Sequence, residues 1–173
     1  YQFARGDEVT SSTGIKTRLK KPLDFLVVAD HSDGMGFFPD LMEGKEHVMK
    51  YEESVKWKKM IDDGNGGEAA IDIIKTFSQG KFPFKTNDVS MMTPVWKNVV
   101  DAAEKYNDPG NFTAFIGYEW TSLIKGNNLH RVVIYRDNGD LAINQLPFTN
   151  EDSSDPERLW DNLESYEKNT GGK

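Results

Sequence analysis

The chain has 173 residues, of which 37% are hydrophobic and 12% aromatic, and its 28 acidic and 21 basic side chains give a net charge of −7. This size and composition suit one folded domain or a section of a larger one, and the acidic balance disfavours nucleic acid and anionic membrane surfaces as partners. Cysteine is absent, so thiolate metal sites, cysteine nucleophiles and disulfides are excluded, and no segment reaches the length of a membrane span.

The first part of the chain predicts a hairpin followed by a buried strand. Two β-prone segments flank a loop of small residues at 11–14, which is typical of a hairpin. Leu23–Asp30 is a nearly continuous apolar run, typical of a parallel strand covered on both faces. The run ends in polar residues, and ligands and metals collect at the carboxyl ends of such strands. Asp30 and His31 are therefore candidate site residues, and the alternative is an ordinary strand-to-loop turn.

Helices are predicted between this strand and the next one. Apolar residues recur at helical spacing over Glu43–Ile61, Glu68–Gln79 and Val89–Tyr106. Asn87-Asp88 is a suitable N-cap for the third of these helices, and the alternative is that Pro94 marks its first turn.

Two further strands are predicted, at Phe112–Trp120 and at Val132–Arg136 with the preceding residues 129–131, and a turn-rich connection joins them. If they pair antiparallel with the turn centred at Ile124-Lys125, Glu119 and His130 stand directly opposite, with Cβ atoms about 4.5–5.5 Å apart. A carboxylate and an imidazole at that separation can share a metal ion. The alternative is a simple cross-strand ion pair.

His31, Glu119 and His130 together are predicted to form one metal site. A mixed set of imidazole and carboxylate ligands suits Zn, Mn or Fe, and such an ion with an open position converts bound water into a hydroxide nucleophile. Asp30 is expected to ligate the ion or to orient a ligating histidine. Three further side chains are donors suited to an oxyanion such as phosphate: Arg131, Asn127 and Asn128.

These residues resemble two groups of known proteins. Val28-Ala29-Asp30-His31-Ser32 is similar to the Thr-Asp-His signature of the PHP (polymerase and histidinol phosphatase) superfamily of metallophosphoesterases. A more specific resemblance, to the bacterial proteins grouped as domain-of-unknown-function family 3604, is carried by Phe115–Ser122 and Gly126–Arg131. It extends through most of the chain, including residues 3–6, 22–26 and 155–160.

The resemblance implies an α/β fold that is part of a distorted barrel of seven strands, with two or three divalent metal ions at its carboxyl-end mouth. By matching, His31 is similar to a metal-ligating histidine, Glu119 to the carboxylate that bridges two metals, and His130 to a ligand of that pair. The family's opening His-x-His motif would precede Tyr1 and its closing Asp-x-His would follow Lys173. Residues 1–173 are therefore expected to be a single partial domain from the middle of the barrel.

The expected function of the parent protein is hydrolysis of a small-molecule phosphate ester, or of a similar anion, by metal-activated water. The fragment alone is expected to be inactive. One alternative is a non-catalytic module that binds a sugar or anion with Tyr118, Trp120 and the paired asparagines. A third possibility is a folded scaffold piece that another chain completes, with self-association through open sheet edges.

Overall fold

The computed structural model describes residues 1–125 and 127–173, and over these residues the chain forms seven helices and five strands. Gly126, which belongs to the second motif quoted above, lies outside the described residues. In chain order the elements are β1 (Val9–Thr10), β2 (Lys16–Thr17), β3 (Phe25–Val27), α1 (Phe37–Glu43), α2 (Glu46–Met49), α3 (Glu52–Asp62), α4 (Gly66–Ser78), α5 (Val89–Tyr106), β4 (Thr113–Ile124), β5 (Asn127–Tyr135), α6 (Gly139–Ala142) and α7 (Pro156–Thr170).

The predicted α/β class is confirmed, and so is the predicted hairpin, which is the antiparallel pair β1–β2. The described strands form two small open sheets, this hairpin and a three-stranded sheet in the order β3-β4-β5. Within the described residues the strands do not close into a barrel.

The three-stranded sheet positions the later site. Its central strand, β4, pairs parallel with β3 and antiparallel with β5. The parallel register continues beyond β3 with an unchanged offset, because His31 forms a bridge with Glu119. The N–H of Glu119 donates to the carbonyl of Asp30 at 2.8 Å, and the N–H of Ser32 donates to the carbonyl of Glu119 at 2.9 Å. These bonds hold the segment after β3 against the middle of β4.

The two faces of this sheet pack differently. The even-numbered side chains of β4 point into the main core, where Tyr118 and Trp120 are fully buried. The helices α5 and α7 cover this face with large side chains, among them Trp96, Val100, Leu159 and Tyr166. The odd-numbered side chains of β4, including Glu119, lie on the other face, where Val132 and Ile134 of β5 are half-exposed. One face therefore supplies stability, and the other is free to bear polar groups.

The strand β3 is shorter and more exposed than the apolar run Leu23–Asp30 predicts. Only Phe25–Val27 of the run Leu23–Asp30 is strand, and Phe25 is 64% exposed. The reason is topological: β3 lies at one side of the described sheet with β4 as its neighbour, and the main core packs on one face, through Leu26. The prediction of burial on both faces was wrong.

The helices confirm the local signals of the sequence in part. α5 begins at Val89, as predicted, because the carboxylate of Asp88 accepts hydrogen bonds from the N–H groups of Ser90 and Met91. Pro94 lies inside the helix, so the alternative start at that residue was wrong. None of the described helices has both the length and the apolar character needed to cross a membrane.

The single helix predicted over Glu43–Ile61 is divided in the structure. Gly44, with a φ of 67°, ends α1, and Tyr51 separates α2 from α3 with an extended backbone at φ −100° and ψ 133°. The ring of Tyr51 packs on Phe84 with the centroids 5.1 Å apart. Phe84 in turn packs against a second hydrophobic cluster that joins α1 to α4, which we call the second aromatic cluster. Its buried members are Phe37, Leu41, Val48, Trp57 and Ile73.

Gly117 provides a test of the close approach between the three strands. A Cβ at this position would lie 2.5 Å from the carbonyl oxygen of Val133 and 2.6 Å from Cγ2 of Val27. We expect Gly117→Ala to lower the free energy of unfolding by about 1–3 kcal/mol, measured by urea denaturation, because the strands must move apart. The control is Gly67→Ala in α4, where an added Cβ would meet nothing within 4 Å. This substitution should leave the free energy of unfolding unchanged or raise it by at most about 1 kcal/mol. Equal effects of the two substitutions would contradict the packing described.

Candidate metal centre

Three side chains meet beyond the carboxyl end of β3, one from the segment that follows β3, one from β4 and one from β5. Nδ1 of His31 lies 2.6 Å from Oε2 of Glu119, and Nδ1 of His130 lies 3.5 Å from Oε1 of the same carboxylate. The centroids of the two imidazole rings are 5.9 Å apart. Within the described part of the chain, this trio is the group of three or more potential ligands whose atoms lie within 4.8 Å of one another. Each oxygen of the carboxylate thus faces one imidazole.

The register of the β4–β5 pair differs by two residues from the predicted one. Thr121, and not Glu119, lies opposite His130, because the last pair of the ladder is Ile124 with Asn127. Side chains on a strand alternate with a period of two, so a shift of two residues leaves Glu119 and His130 on the same face as diagonal neighbours. The predicted direct opposition was wrong, but the two side chains still meet.

Thr121 also belongs to the site, although the sequence analysis did not predict this. Its hydroxyl oxygen lies 2.9 Å from Nδ1 of His130 and 3.4 Å from Nδ1 of His31, and the residue is buried. The hydroxyl therefore sits between the same two nitrogen atoms that face the carboxylate. The signal that could have found it is strand alternation, since the residue two positions after Glu119 must point to the same face.

The trio is enclosed on the side of the carboxylate and open on the side of the rings. The side chain of Glu119 is 22% exposed, compared with 62% for His31 and 44% for His130. Two imidazoles and one carboxylate form a donor set that fits Zn, Mn or Fe. Three protein ligands also leave a coordination position for water or for a substrate oxygen.

The predicted oxyanion donors lie on two different faces of the β4–β5 pair. Asn128 lies on the face of the trio and lines the cleft beside it. Asn127 and Arg131 alternate to the other face, where Arg131 lines a groove against α7. The guanidinium of Arg131 also donates to the carbonyl of His130 at 2.8 Å. The structure therefore does not bring Arg131 or Asn127 to the trio.

Asp30 contributes its backbone to the site rather than its side chain. Its carbonyl accepts the hydrogen bond from Glu119 that fixes the parallel register. Its carboxylate is exposed and is not part of the converging group in the described structure.

The charge of this carboxylate acts instead on Tyr1. Burial is the main cause that raises the pKa of Tyr1, and the negative charge of Asp30 adds to this effect.

A cleft of about 260 Å³ opens beside the trio. One wall is formed by residues of β4, of β5 and of the segment after β3, including His31, Thr121 and His130. The other wall comes from α1, α4 and the segment after α4. The trio is therefore at one side of a concave site and not on an open surface.

Asp33 is a second residue of this cleft that the sequence reading did not single out. Its Oδ1 accepts hydrogen bonds from the backbone N–H of Asn150 at 2.9 Å and from the hydroxyl of Thr86 at 3.3 Å. Its Oδ2 is buried and has no hydrogen-bond partner in the described part of the chain. Burial raises the pKa of this carboxyl to about 6, against the lowering effect of the two hydrogen bonds.

Comparison with known proteins identifies the family. The model of the family described as "Protein of unknown function (DUF3604)" matches residues 1–173. The chain belongs to this family. A search of curated proteins and a search of solved structures found no match. The resemblance to family 3604 is thus confirmed, and the two motifs that carry it supply Glu119 and His130.

Thr121→Val tests whether the hydroxyl orients the two imidazoles of this DUF3604 site. The substitution keeps the shape of the side chain and removes the oxygen, so we expect the affinity for Zn²⁺ or Mn²⁺ to fall about 10-fold in isothermal titration. Thr113→Val is the control, because Thr113 is on the same face of β4 at its far end. Equal dissociation constants for the wild type and both variants would rule out this role of Thr121.

Asp33 predicts a pH dependence of stability in the metal-free protein. Because folding raises the pKa of this carboxyl from 3.8 to about 6, the folded chain binds the proton more tightly than the unfolded chain. The stabilising contribution of the protonated Asp33 carboxyl is therefore fully present below about pH 4 and is lost as the pH rises through about 6. As the pH rises from 4 to 7, the free energy of unfolding of Asp33→Asn should increase by about 2 kcal/mol relative to that of the wild type, because only the wild type loses this contribution. The measurement is denaturant unfolding in the presence of EDTA. A stability difference that does not change with pH would contradict this.

Proposed function

We propose that this chain carries part of the active site of a PHP-type metal-dependent hydrolase that cleaves a small-molecule phosphate ester. The observation that supports the proposal is the convergence of His31, Glu119 and His130 at the carboxyl end of a parallel strand pair. In barrels and open sheets of this kind, active sites form at that end of the strands. The proposal includes the fold, which we take to be a middle section of the distorted seven-stranded barrel.

The arrangement of the trio suggests what each residue does. Glu119 presents one oxygen to each side, which suits a carboxylate that ligates one cation or bridges two, and each imidazole supplies a nitrogen. A bound Zn, Mn or Fe ion would lower the pKa of a coordinated water and supply a hydroxide nucleophile near neutral pH. The hydroxyl of Thr121 would restrain both rings, and Asn128, which lines the cleft, would donate from its amide to a phosphate oxygen.

The alternative of a sugar-binding module is less well supported. That reading relied on the rings of Tyr118 and Trp120 as a binding platform. Both rings are fully buried in the main core, on the face of β4 opposite to the trio. They therefore act in packing and offer no surface to a sugar.

Metal binding is the first experiment. We expect Glu119→Gln and His130→Asn to lower the affinity for Zn²⁺ or Mn²⁺ at least 10-fold relative to the wild-type chain, in isothermal titration after treatment with a chelator. The control is His47→Asn. His47 also pairs with a carboxylate, Asp40, at 2.8 Å, but this pair lies outside the trio. Unchanged metal affinity in Glu119→Gln would defeat the assignment.

Hydrolysis is the second experiment and uses the full-length protein of which we propose that this chain is a part. We expect it to release phosphate from phosphomonoesters in the presence of Mn²⁺ or Zn²⁺, to lose this activity in EDTA, and to regain it when the metal is returned. Glu119→Gln should abolish the activity and His47→Asn should retain it. Turnover that is insensitive to the chelator would contradict the proposal.

A further inference from the structure

We propose that the substrate of this site carries an apolar aryl or alkyl group next to its anionic group, and that the apolar group binds in the cleft beside the trio. For the anionic end the inference rests on the proposed function. For the apolar end it rests on the cleft itself, which can be tested without any metal or turnover.

The wall of the cleft opposite the sheet is apolar and partly aromatic. Its side chains come from α1, from α4 and from the segment that follows α4: Phe37, Phe38, Ile73, Ile74, Phe77 and Phe82. Phe37 and Ile73 are buried in the second aromatic cluster, whereas Phe38 is half-exposed and Ile74 is 62% exposed. Large apolar side chains that line a concave site, rather than being scattered on a convex surface, are typical of a binding site for an apolar group.

The opposite wall is polar and ends in the metal centre. His31, His130 and Thr121 line the same cleft, together with the amide of Asn128. The cleft is thus suited to an anion and a metal ion at one side and to carbon at the other. A phosphate ester of a small polar alcohol would leave the apolar wall without contacts and would lose its own hydration there.

The remaining polar groups of the cleft do not change this division. Asp33, Thr86 and Ser78 also line it. Oδ1 of Asp33 accepts hydrogen bonds from Thr86 and from the backbone of Asn150. The hydroxyl of Ser78 donates to the carbonyl of Ile74 at 2.8 Å. Only Oδ2 of Asp33 has no partner among the described residues, and it is buried. The free surface that an entering group meets is therefore mainly the carbon of α1 and α4.

The size of the cleft indicates the size of the apolar group. An apolar cavity of about 150 Å³ holds one benzene ring. The whole cleft, with the side of the trio included, measures about 260 Å³, so it has room for an aryl group or a short branched alkyl chain together with the anionic group that carries it. We therefore take 1-naphthol as the probe of the apolar end and 1-naphthyl phosphate as the probe of the whole site.

The two exposed isoleucines of α4 provide a matched pair of variants. Ile74 lines the cleft, whereas Ile71, on the same helix and 68% exposed, does not. Neither substitution by serine removes a buried side chain, so both variants should fold. We expect the wild type and Ile71→Ser to bind 1-naphthol with the same dissociation constant in fluorescence titration of the metal-free chain, and Ile74→Ser to bind it about 5–10-fold more weakly. Phe38→Ser, from α1, should have a similar effect to Ile74→Ser.

The substrate preference is measured on the metal-loaded full-length protein. We expect kcat/KM for 1-naphthyl phosphate to exceed that for glycerol 2-phosphate at least 10-fold, and Ile74→Ser to reduce this ratio while Ile71→Ser leaves it unchanged.

The outcomes separate the two proposals. If 1-naphthol binds and Ile74→Ser weakens it, the cleft is a site for an apolar group even where no metal-dependent hydrolysis is found, and then only the proposed function fails. If hydrolysis is metal-dependent but the two esters react equally well and the two isoleucine variants behave alike, the proposed function stands and the inference about the cleft is overturned. Failure of the wild-type chain to bind 1-naphthol saturably at millimolar concentration would also overturn it.

Discussion

The backbone bridge between His31 and Glu119 is the constraint on which the candidate site depends. In a parallel pair, residues that lie opposite each other point to the same face, so this bridge sets an imidazole beside a carboxylate. Two hydrogen bonds at 2.8 and 2.9 Å fix it, one on each side of the bridge. A slip of one residue would turn one of the two side chains to the other face and disperse the site. His130 comes from β5, which pairs antiparallel with β4 along the edge opposite to β3.

The site is held firmly because the opposite face of the same strand is the main core. Tyr118 and Trp120 flank Glu119 in sequence and are fully buried under α5 and α7. Alternation along a strand thus places the most strongly packed residues directly next to the polar ones. Gly117 contributes by its lack of a side chain, since β3 and β5 approach it closely from both sides. A rigid strand is a better support for a metal centre than a loop, because ligand positions must be held to a fraction of an ångström.

The long connection between the two parallel strands builds the rest of the site. Parallel neighbours cannot be joined by a short turn, so the chain must cross over between β3 and β4, and here the crossover contains α1 to α5. α5 returns the chain under the sheet and completes the core, whereas α1 to α4 form the second aromatic cluster on the other side of the cleft from the trio. The same segment that topology requires therefore supplies the apolar wall of the cleft. The trio and the apolar wall of the cleft thus come from separate elements that meet at one end of the sheet.

The sequence by itself determined the α/β class, the bounds of α5, the existence of strands where β4 and β5 lie, and the three residues that form the trio. These features follow from local signals, since a cap or a periodicity acts within a few residues of the chain. Only the tertiary structure decided the register that places Thr121 opposite His130, the face on which Arg131 lies, the burial of Asp33, and the open side of β3. A hairpin register depends on where the connection falls, and the burial of a strand depends on which elements cover it. The cleft belongs to this second group, because its two walls come from parts of the chain that are distant in sequence and come together only through the parallel pairing of β3 and β4.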